Sequence, residues 1–197
     1  VHPYLGSFWL GLNLRHPALG RSRELRQALS LAINRDILVR TVLGAGDLPG
    51  WSVVPPGMSG YRPSAMTQSV LQQEQREAEA RRLFRASGAG QREPLRLELR
   101  YNTSGVHRRI AVAVAAMWKQ VLGVNTELVN EEWKVFVNNR TMGVVTEVFR
   151  GGWIAERRRD TEVIRQRIEP NIVHVIRIKG QGNAPAQPGF GPADAEV

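Results

Sequence analysis

The chain has 197 residues, of which 42% are hydrophobic and 23% are charged, proportions typical of a folded globular protein. It contains no cysteine, which excludes disulfides and thiolate metal sites, and it has no apolar run of about 18 residues, the length that crosses a membrane. The formal net charge of +9 suggests nucleic acid as a partner, because nucleic acids are polyanions. Arginine alternates with glutamate along the predicted helices, however, so we expect most arginines to lie on solvated faces or to pair with glutamates.

The N-terminal residues predict a strand. Residues 4–14 alternate, with Phe8, Leu10 and Leu12 on one side and small or polar residues on the other. This period of two is typical of a strand that is buried on one face only. A turn is expected next, around Pro17 and Gly20.

Two helices and a long loop are predicted to follow. Ser22 is a suitable cap for a helix with one apolar face, formed by Leu25, Ala28, Leu29, Ala32 and Ile33. Asn34 is a suitable cap for a second, shorter helix that ends at Gly44. Residues 47–63 contain several glycines and prolines together with Trp51, and they predict an irregular loop.

The middle of the chain predicts alternating helices and strands. These are a helix over 67–86, a strand over 95–101, a helix over 105–122, a strand over 124–129, a helix over 131–139 and a strand over 144–150. Ser104 and Gly123 are placed to begin and end the apolar helix over 105–122. The order of elements indicates an α/β fold with a largely parallel sheet.

The amino-acid composition of the chain changes within residues 149–160, FRGGWIAERRRD. Residues 156–178 predict a helix and then the strand IVHVIRI, and residues 180–197 are rich in glycine, proline and alanine, which indicates disorder. We therefore divide the chain into residues 1–155 and an atypical tail, residues 156–197. A disordered end and a shift of reading frame in the gene are two explanations for this tail.

Five blocks of sequence carry a resemblance to a known family. They are RELRQALSLAINRDILVRTVLGAG (23–46), DLPGWSVVPPGMSGY (47–61), LRYNTSGVHRRIAVAVAAMWKQVLGV (99–124), ELVNEEWKVFVNNR (127–140) and FRGGWIA (149–155). In order and approximate spacing they resemble the peptide/nickel-type solute-binding proteins of ABC importers, particularly the oligopeptide- and dipeptide-binding members. The resemblance covers residues 1–155.

The resemblance implies one lobe of a periplasmic-binding-protein-like, or Venus-flytrap, fold. Residues 1–155 are similar to part of the C-terminal lobe, and so we expect an incomplete lobe whose N-terminal partner lobe lies elsewhere. The implied parent is a periplasmic or extracytoplasmic receptor, although this chain shows no export signal. Its implied partners are a peptide ligand and the membrane permease of an ABC importer, while nickel or another small cargo stays open.

The resemblance also implies two residues for the carboxylate end of a peptide. Arg150, at the end of the last predicted strand, and His107, in the first turn of the apolar helix, match positions that receive this group. A guanidinium offers a bidentate fork to a carboxylate. The alternatives are a surface salt bridge for Arg150 and a solvent-exposed position for His107. Arg140 lies near a further family arginine, one residue away from the usual spacing.

The GGW element is implied to contact the peptide backbone. Backbone groups of Gly152 and Ile154 would pair with the ligand as an added strand does, with Trp153 beside it. A place in the core is the alternative for Trp153, and it is the expected place of Trp118 and Trp133. Glu156 occupies the position of an aspartate that pairs with the ligand's α-ammonium, although three arginines follow it.

Two other classes of function have less support. The four histidines have no ligand spacing and no nucleophile or phosphate-loop motif is present, so we expect no enzyme, metal or cofactor. The pair Glu131 and Glu132 adjoins a helix start, where the helix dipole stabilises carboxylates. A basic nucleic-acid-binding or interaction domain is the alternative function, but it has only the ERRR run in its favour, and we expect no nucleic acid as a partner.

Overall fold

The structure, a computed structural model, describes residues 6–44, 46–52, 66–144, 147–154 and 174–176. Its strands are β1 Gly6–Leu12, β2 Arg96–Asn102, β3 Asn125–Glu131, β4 Val148–Ile154 and β5 His174–Ile176. Its α-helices are α1 Pro17–Arg21, α2 Arg23–Leu31, α3 Arg35–Ile37, α4 Gln73–Ala86, α5 Gly105–Leu122 and α6 Trp133–Thr141. A π-helix spans Leu38–Leu43 and a 3-10 helix spans Thr67–Val70. No helix in these ranges is both long and apolar enough to cross a membrane.

The strands form one sheet in the order β3-β2-β4-β1-β5. β2 is parallel to β3 along its whole length, from Arg96 beside Asn125 to Asn102 beside Glu131. β2 is also parallel to β4, whereas β1 and β5 are antiparallel. The predicted α/β fold with a largely parallel sheet is therefore confirmed, and β5 lies within the predicted strand IVHVIRI.

The first strand is more deeply buried than the sequence predicts. All seven residues of β1 are buried, so the prediction of a strand with one solvated face is wrong. β1 lies inside the sheet, between β4 and β5, and both of its faces are covered. The predicted turn at Pro17 and Gly20 is also wrong, because these residues lie in α1. Proline is accommodated in the first helical turn, where its missing N–H has no helical partner.

The chain divides into two compact units, and the larger comprises residues 11–34 and 67–150. In this unit α2 packs on α4, and α5 packs on β2 and β3. The Nε1 of Trp118 donates to the backbone oxygen of Leu29 at 2.8 Å, which joins α5 to α2, and Trp118 is in the core as predicted. The side chain of Ser104 caps α5 and Gly123 ends it with φ 73°, so both predicted ends of this helix are confirmed.

Two helices of the larger unit begin later than predicted. The helix expected over 67–86 is a 3-10 helix followed by α4, which begins after Gln72. Gln72 and Gln75 form a capping box there, with the Gln72 N–H donating to the Gln75 Oε1 at 2.9 Å. The last helix begins at Trp133, because the Glu132 carboxylate accepts the backbone N–H groups of Lys134 and Val135.

The second unit comprises residues 1–10, 35–66 and 151–197. The predicted short helix after Asn34 is α3 continued by the π-helix, which ends at Gly44 with φ 66°. The Arg35 side chain is fully buried. Its Nε donates to the backbone oxygen of Gly50 at 3.0 Å, and its Cζ lies 4.3 Å from the centre of the Trp51 ring. Arg35 thus fixes the start of the predicted long loop, whose residues 53–63 lie outside the described ranges.

Candidate functional site

The candidate site lies in the larger unit, where parallel strands reach their carboxyl ends. Asn102 and Glu131, the last residues of β2 and β3, lie side by side. Arg150 follows Phe149, the last β4 residue in register with β2. Helices α5 and α6 begin directly after β2 and β3. In open α/β sheets, ligands bind at this edge because the strand-to-helix connections converge there.

Arg150 is buried, with an exposed fraction of only 2%. Its Cζ lies 6.0 Å from the centre of the Trp133 ring, within the range of a cation–π interaction. This burial contradicts the surface position that the alternative, a lobe-surface salt bridge, requires. A guanidinium held among low-dielectric groups attracts an anion more strongly than one in water.

His107 is also buried, with 9% of its surface exposed, so the alternative of a solvent-exposed residue is wrong. It lies in the first turn of α5, where the turn is held by the Ser104 cap. Burial, and then the positive charge of Arg150, lower the pKa of His107 to about 4, against a smaller opposite effect of its hydrogen bond to the Asn102 backbone. At neutral pH the imidazole is uncharged and lies close to a permanent cation.

Trp133 is a site residue that the sequence prediction missed. It was expected in the core, but it is only partly buried and it lies beside Arg150. Its ring stacks on the fully buried Phe136 with a centroid distance of 6.2 Å. The available signal was its place at the start of the helix that follows a parallel strand, where ligand-binding residues concentrate.

A network of charged side chains supports this edge. Arg100 donates through Nε to Glu98 at 2.8 Å and through Nη1 to Glu131 at 2.6 Å. Asn139, on α6, donates to the same Oε1 of Glu131 at 2.7 Å. The predicted role of a carboxylate at a helix start is confirmed for Glu132, whereas Glu131 joins β2, β3 and α6.

The GGW element continues β4 beyond Arg150, in the smaller unit. Packing explains why residue 151 is a glycine, because a Cβ there would collide with the indole of Trp9. Gly152 is buried. The backbones of Trp153 and Ile154 belong to β4, but the side chain of Trp153 lies outside the described residues, as does all of Glu156.

Several arginines of the larger unit are engaged by the protein itself. Arg81 pairs with Glu77 and Arg82 with Glu79, as predicted for helix-surface charges. Arg26 donates to the backbone oxygen of Leu19 at 2.7 Å. Within the described ranges, no three histidine or carboxylate side chains are grouped so that they could hold a metal ion.

Comparisons with known proteins agree with this geometry. The chain is 39% identical over 156 residues to the periplasmic oligopeptide-binding protein OppA of Salmonella typhimurium, covering 79% of this chain and 28% of that protein. It is 38% identical over 154 residues to the periplasmic murein peptide-binding protein MppA of Escherichia coli, covering 78% of this chain and 28% of that protein. The chain thus spans 28% of the length of both relatives.

Solved structures share the fold. The structure of the Escherichia coli murein tripeptide binding protein MppA matches with a TM-score of 0.73 and 37% identity, covering 78% of this chain and 30% of that one. Haemophilus influenzae OppA in complex with RPPGFSPFR matches with a TM-score of 0.72 and 30% identity, covering 77% of this chain and 30% of that one.

The family profile described as bacterial extracellular solute-binding proteins, family 5 Middle, matches residues 1–165. This range contains every residue of the cluster formed by Arg150, His107 and Trp133. The predicted resemblance is confirmed, and the chain belongs to the bacterial extracellular solute-binding proteins of family 5.

Proposed function

We propose that this chain is part of the peptide-binding C-terminal lobe of an extracytoplasmic receptor that delivers oligopeptides or dipeptides to an ABC importer. The observation that carries the proposal is the buried Arg150, held over Trp133 and beside His107 at the carboxyl ends of parallel strands. The proposal is also supported by the 39% identity between this chain and a periplasmic oligopeptide-binding protein.

Arg150 is the residue that would receive the carboxylate end of the peptide. Its planar guanidinium offers two parallel N–H donors to the two oxygens of a carboxylate. His107 adds no second charge at neutral pH, because its pKa is lowered to about 4. The cluster therefore brings one positive charge to one negative terminus, and the imidazole contributes only its hydrogen-bonding nitrogens.

The segment of β4 after Arg150 would hold the peptide backbone. Backbone groups of Gly152 and Ile154 would pair with the ligand as an added strand does, with Trp153 beside it, and Glu156 would face the ligand's α-ammonium. Main-chain groups and termini are common to all peptides, so a receptor that uses them accepts many sequences.

The mechanism of the whole receptor would be capture between two lobes, closure and handover to the permease. Residues 1–155 would supply part of one lobe, with residues 156–197 as an atypical tail, and the second lobe would supply the opposite wall. Affinity in such a design comes from enclosing the ligand on both sides. We therefore expect the chain alone to bind di- to pentapeptides with affinity weaker than micromolar.

We propose no catalytic role and no role in nucleic-acid binding. The matched relatives are named as binding proteins, and Arg81 and Arg82 each pair with a glutamate on their own helix. A basic chain with a free phosphate-binding surface would show binding to random oligonucleotides that weakens steeply with salt. Such binding would contradict the proposal.

The test is a chimera of Salmonella typhimurium OppA in which residues 1–154 of this chain replace the matched segment. Calorimetry with a tripeptide is expected to show binding. Arg150→Met keeps the length of the side chain but removes the charged donors, and it is expected to weaken affinity about 10- to 100-fold. Arg108→Met, at an exposed position on α5, is the matched control and is expected to leave affinity unchanged. Equal affinity for both variants would overturn the role of Arg150.

A further inference from the structure

One carboxylate, that of Glu131, contacts both β2 and α6. We propose that Glu131 is a positioning residue: by tying β2 and α6 to the end of β3, it holds Trp133 beneath the guanidinium of Arg150. The inference deepens the proposed function and rests on it, because it assigns a residue that sets the geometry of the carboxylate-receiving group without touching the ligand.

Glu131 makes two contacts through a single oxygen atom. Its Oε1 accepts from the Nη1 of Arg100 on β2 at 2.6 Å and from the Nδ2 of Asn139 on α6 at 2.7 Å. Glu131 is also the last residue of β3. Three elements, two parallel strands and the following helix, are therefore joined at one atom.

These contacts fix α6 at both ends. At its start, the Glu132 carboxylate accepts the N–H groups of Lys134 and Val135, and Glu132 is the only residue between Glu131 and Trp133. Near its other end, Asn139 is held by Glu131. Between them, Phe136 is fully buried and stacks on Trp133. The short chain link to β3 at its start, the Asn139 contact near its other end and the buried Phe136 oppose rotation of α6 about its axis, which keeps the Trp133 ring beside Arg150.

Water cannot readily replace the hydrogen bonds that Glu131 accepts from Arg100 and Asn139. The side chains of Arg100 and Glu131 are only 13% and 10% exposed. Removing one member of such a desolvated pair leaves the other without its partner, and the elements that it joined are expected to move. Glu98 also binds Arg100, at 2.8 Å, and keeps the guanidinium in position on the β2 side.

The pKa of His107 reports the position of Arg150, because burial and the charge of Arg150 lower it. Two different roles of Glu131 therefore predict opposite changes in the pKa of His107 when Glu131 is removed. If Glu131 acts only through its charge, its removal takes away a negative group and leaves Arg100 paired with Glu98 alone, and both effects lower the pKa of a nearby histidine further. If Glu131 positions Trp133, its removal loosens Arg150 and opens the cluster, and the pKa of His107 rises.

The experiment is an NMR titration of the His107 imidazole in the full chain, assigned with a His107→Asn variant. Glu131→Ala is expected to raise the pKa of His107 by about one unit. Glu131→Gln keeps an oxygen that accepts from both partners, and it is expected to restore a pKa near that of the original chain. Glu127→Ala, at an exposed position on the same strand, is the control and should change nothing. A fall in the pKa with Glu131→Ala, or the same rise with Glu131→Gln, would overturn the inference.

A mutant cycle tests the route through Trp133. In a Trp133→Leu background, Glu131→Ala should no longer shift the pKa of His107, because the ring that it positions is gone. An undiminished shift in that background would refute the route. If Glu131→Ala does not fold, Asn139→Ala removes only the α6 end of the tie and should give the same rise, and no rise would refute the positioning role.

Peptide affinity separates this inference from the proposed function. In the OppA chimera, Glu131→Ala is expected to weaken tripeptide binding about tenfold, and Glu131→Gln is expected to recover most of the loss. If the pKa shifts occur as expected but Arg150→Met binds peptide normally, the proposed role of Arg150 as the carboxylate receiver fails and its positioning by Glu131 stands. If Arg150→Met weakens binding but Glu131→Ala leaves both the pKa and the affinity unchanged, the positioning role fails alone.

Discussion

The indole of Trp9 fills the space in which a side chain at Gly151 would lie. The glycine is therefore required by packing between β1 and the end of β4. Gly151→Ala is expected to destabilise the protein by about 1–3 kcal/mol, because the added methyl group must displace the ring. Urea unfolding followed by circular dichroism measures the change.

Gly105→Ala provides the matched control for this prediction. A Cβ at Gly105, the first residue of α5, would meet only the Nη1 of Arg109 at 4.0 Å. Alanine there is expected to be neutral or slightly stabilising. If Gly151→Ala is no more destabilising than Gly105→Ala, the packing explanation for Gly151 is wrong.

Arg35 is expected to be irreplaceable by lysine. Lysine retains the charge but has no planar group to lie on Trp51 and no Nε–H aimed at the Gly50 oxygen. Arg35→Lys should lower the free energy of unfolding by about 2–3 kcal/mol. Arg40→Lys, at an exposed position in the π-helix, should have no measurable effect. Thermal melts of the two variants compare them, and similar melting temperatures would contradict the prediction.

The buried carboxyl group of Asp47 should make stability fall with rising pH. Burial raises the pKa of Asp47 to about 6, against a smaller opposite effect of a backbone hydrogen bond. The folded state therefore holds this proton more tightly than the unfolded chain, and stability is lost between about pH 4 and pH 6. Asp47→Asn should be more stable than the original chain by about 1–3 kcal/mol at pH 7.5 and not at pH 4. A constant difference between the two curves across this range would refute the assignment.

His107 should have the opposite effect over nearly the same pH range. Its folded pKa of about 4 lies below the value of about 6.5 expected in the unfolded chain. The folded state therefore rejects this proton, and stability is lost as pH falls from about 6.5 to about 4. His107→Gln removes this dependence, so its destabilisation should be about 2–3 kcal/mol smaller at pH 4.5 than at pH 7.5. Equal destabilisation at the two pH values would exclude a neutral, buried imidazole.

Local features of the fold could be predicted from the sequence. Helix α5 begins and ends where expected because its signals, the Ser104 side chain and the left-handed Gly123, act within one turn. The apolar period of α2 likewise predicts the buried residues Leu25 and Leu29. These signals depend only on neighbours along the chain.

Features that depend on distant residues could not be predicted in this way. The complete burial of β1 requires that both faces of this inner strand are covered, and a short apolar run does not show which faces the rest of the chain will cover. Trp133 becomes a site residue only because the end of β4 brings Arg150 to its ring. Arg150 and His107 were predicted through family resemblance, and their burial depends on contacts between elements that are far apart in sequence.

The π-helix over Leu38–Leu43 holds one more residue per turn than an α-helix, as the bond from the Gly44 N–H to the Val39 oxygen at 3.0 Å shows. A chain shortened by one residue here would regain ordinary α-helical winding while Arg35 and Gly44 kept their places at either side. This segment is therefore a place where the chain is expected to lose one residue without disturbing the sheet.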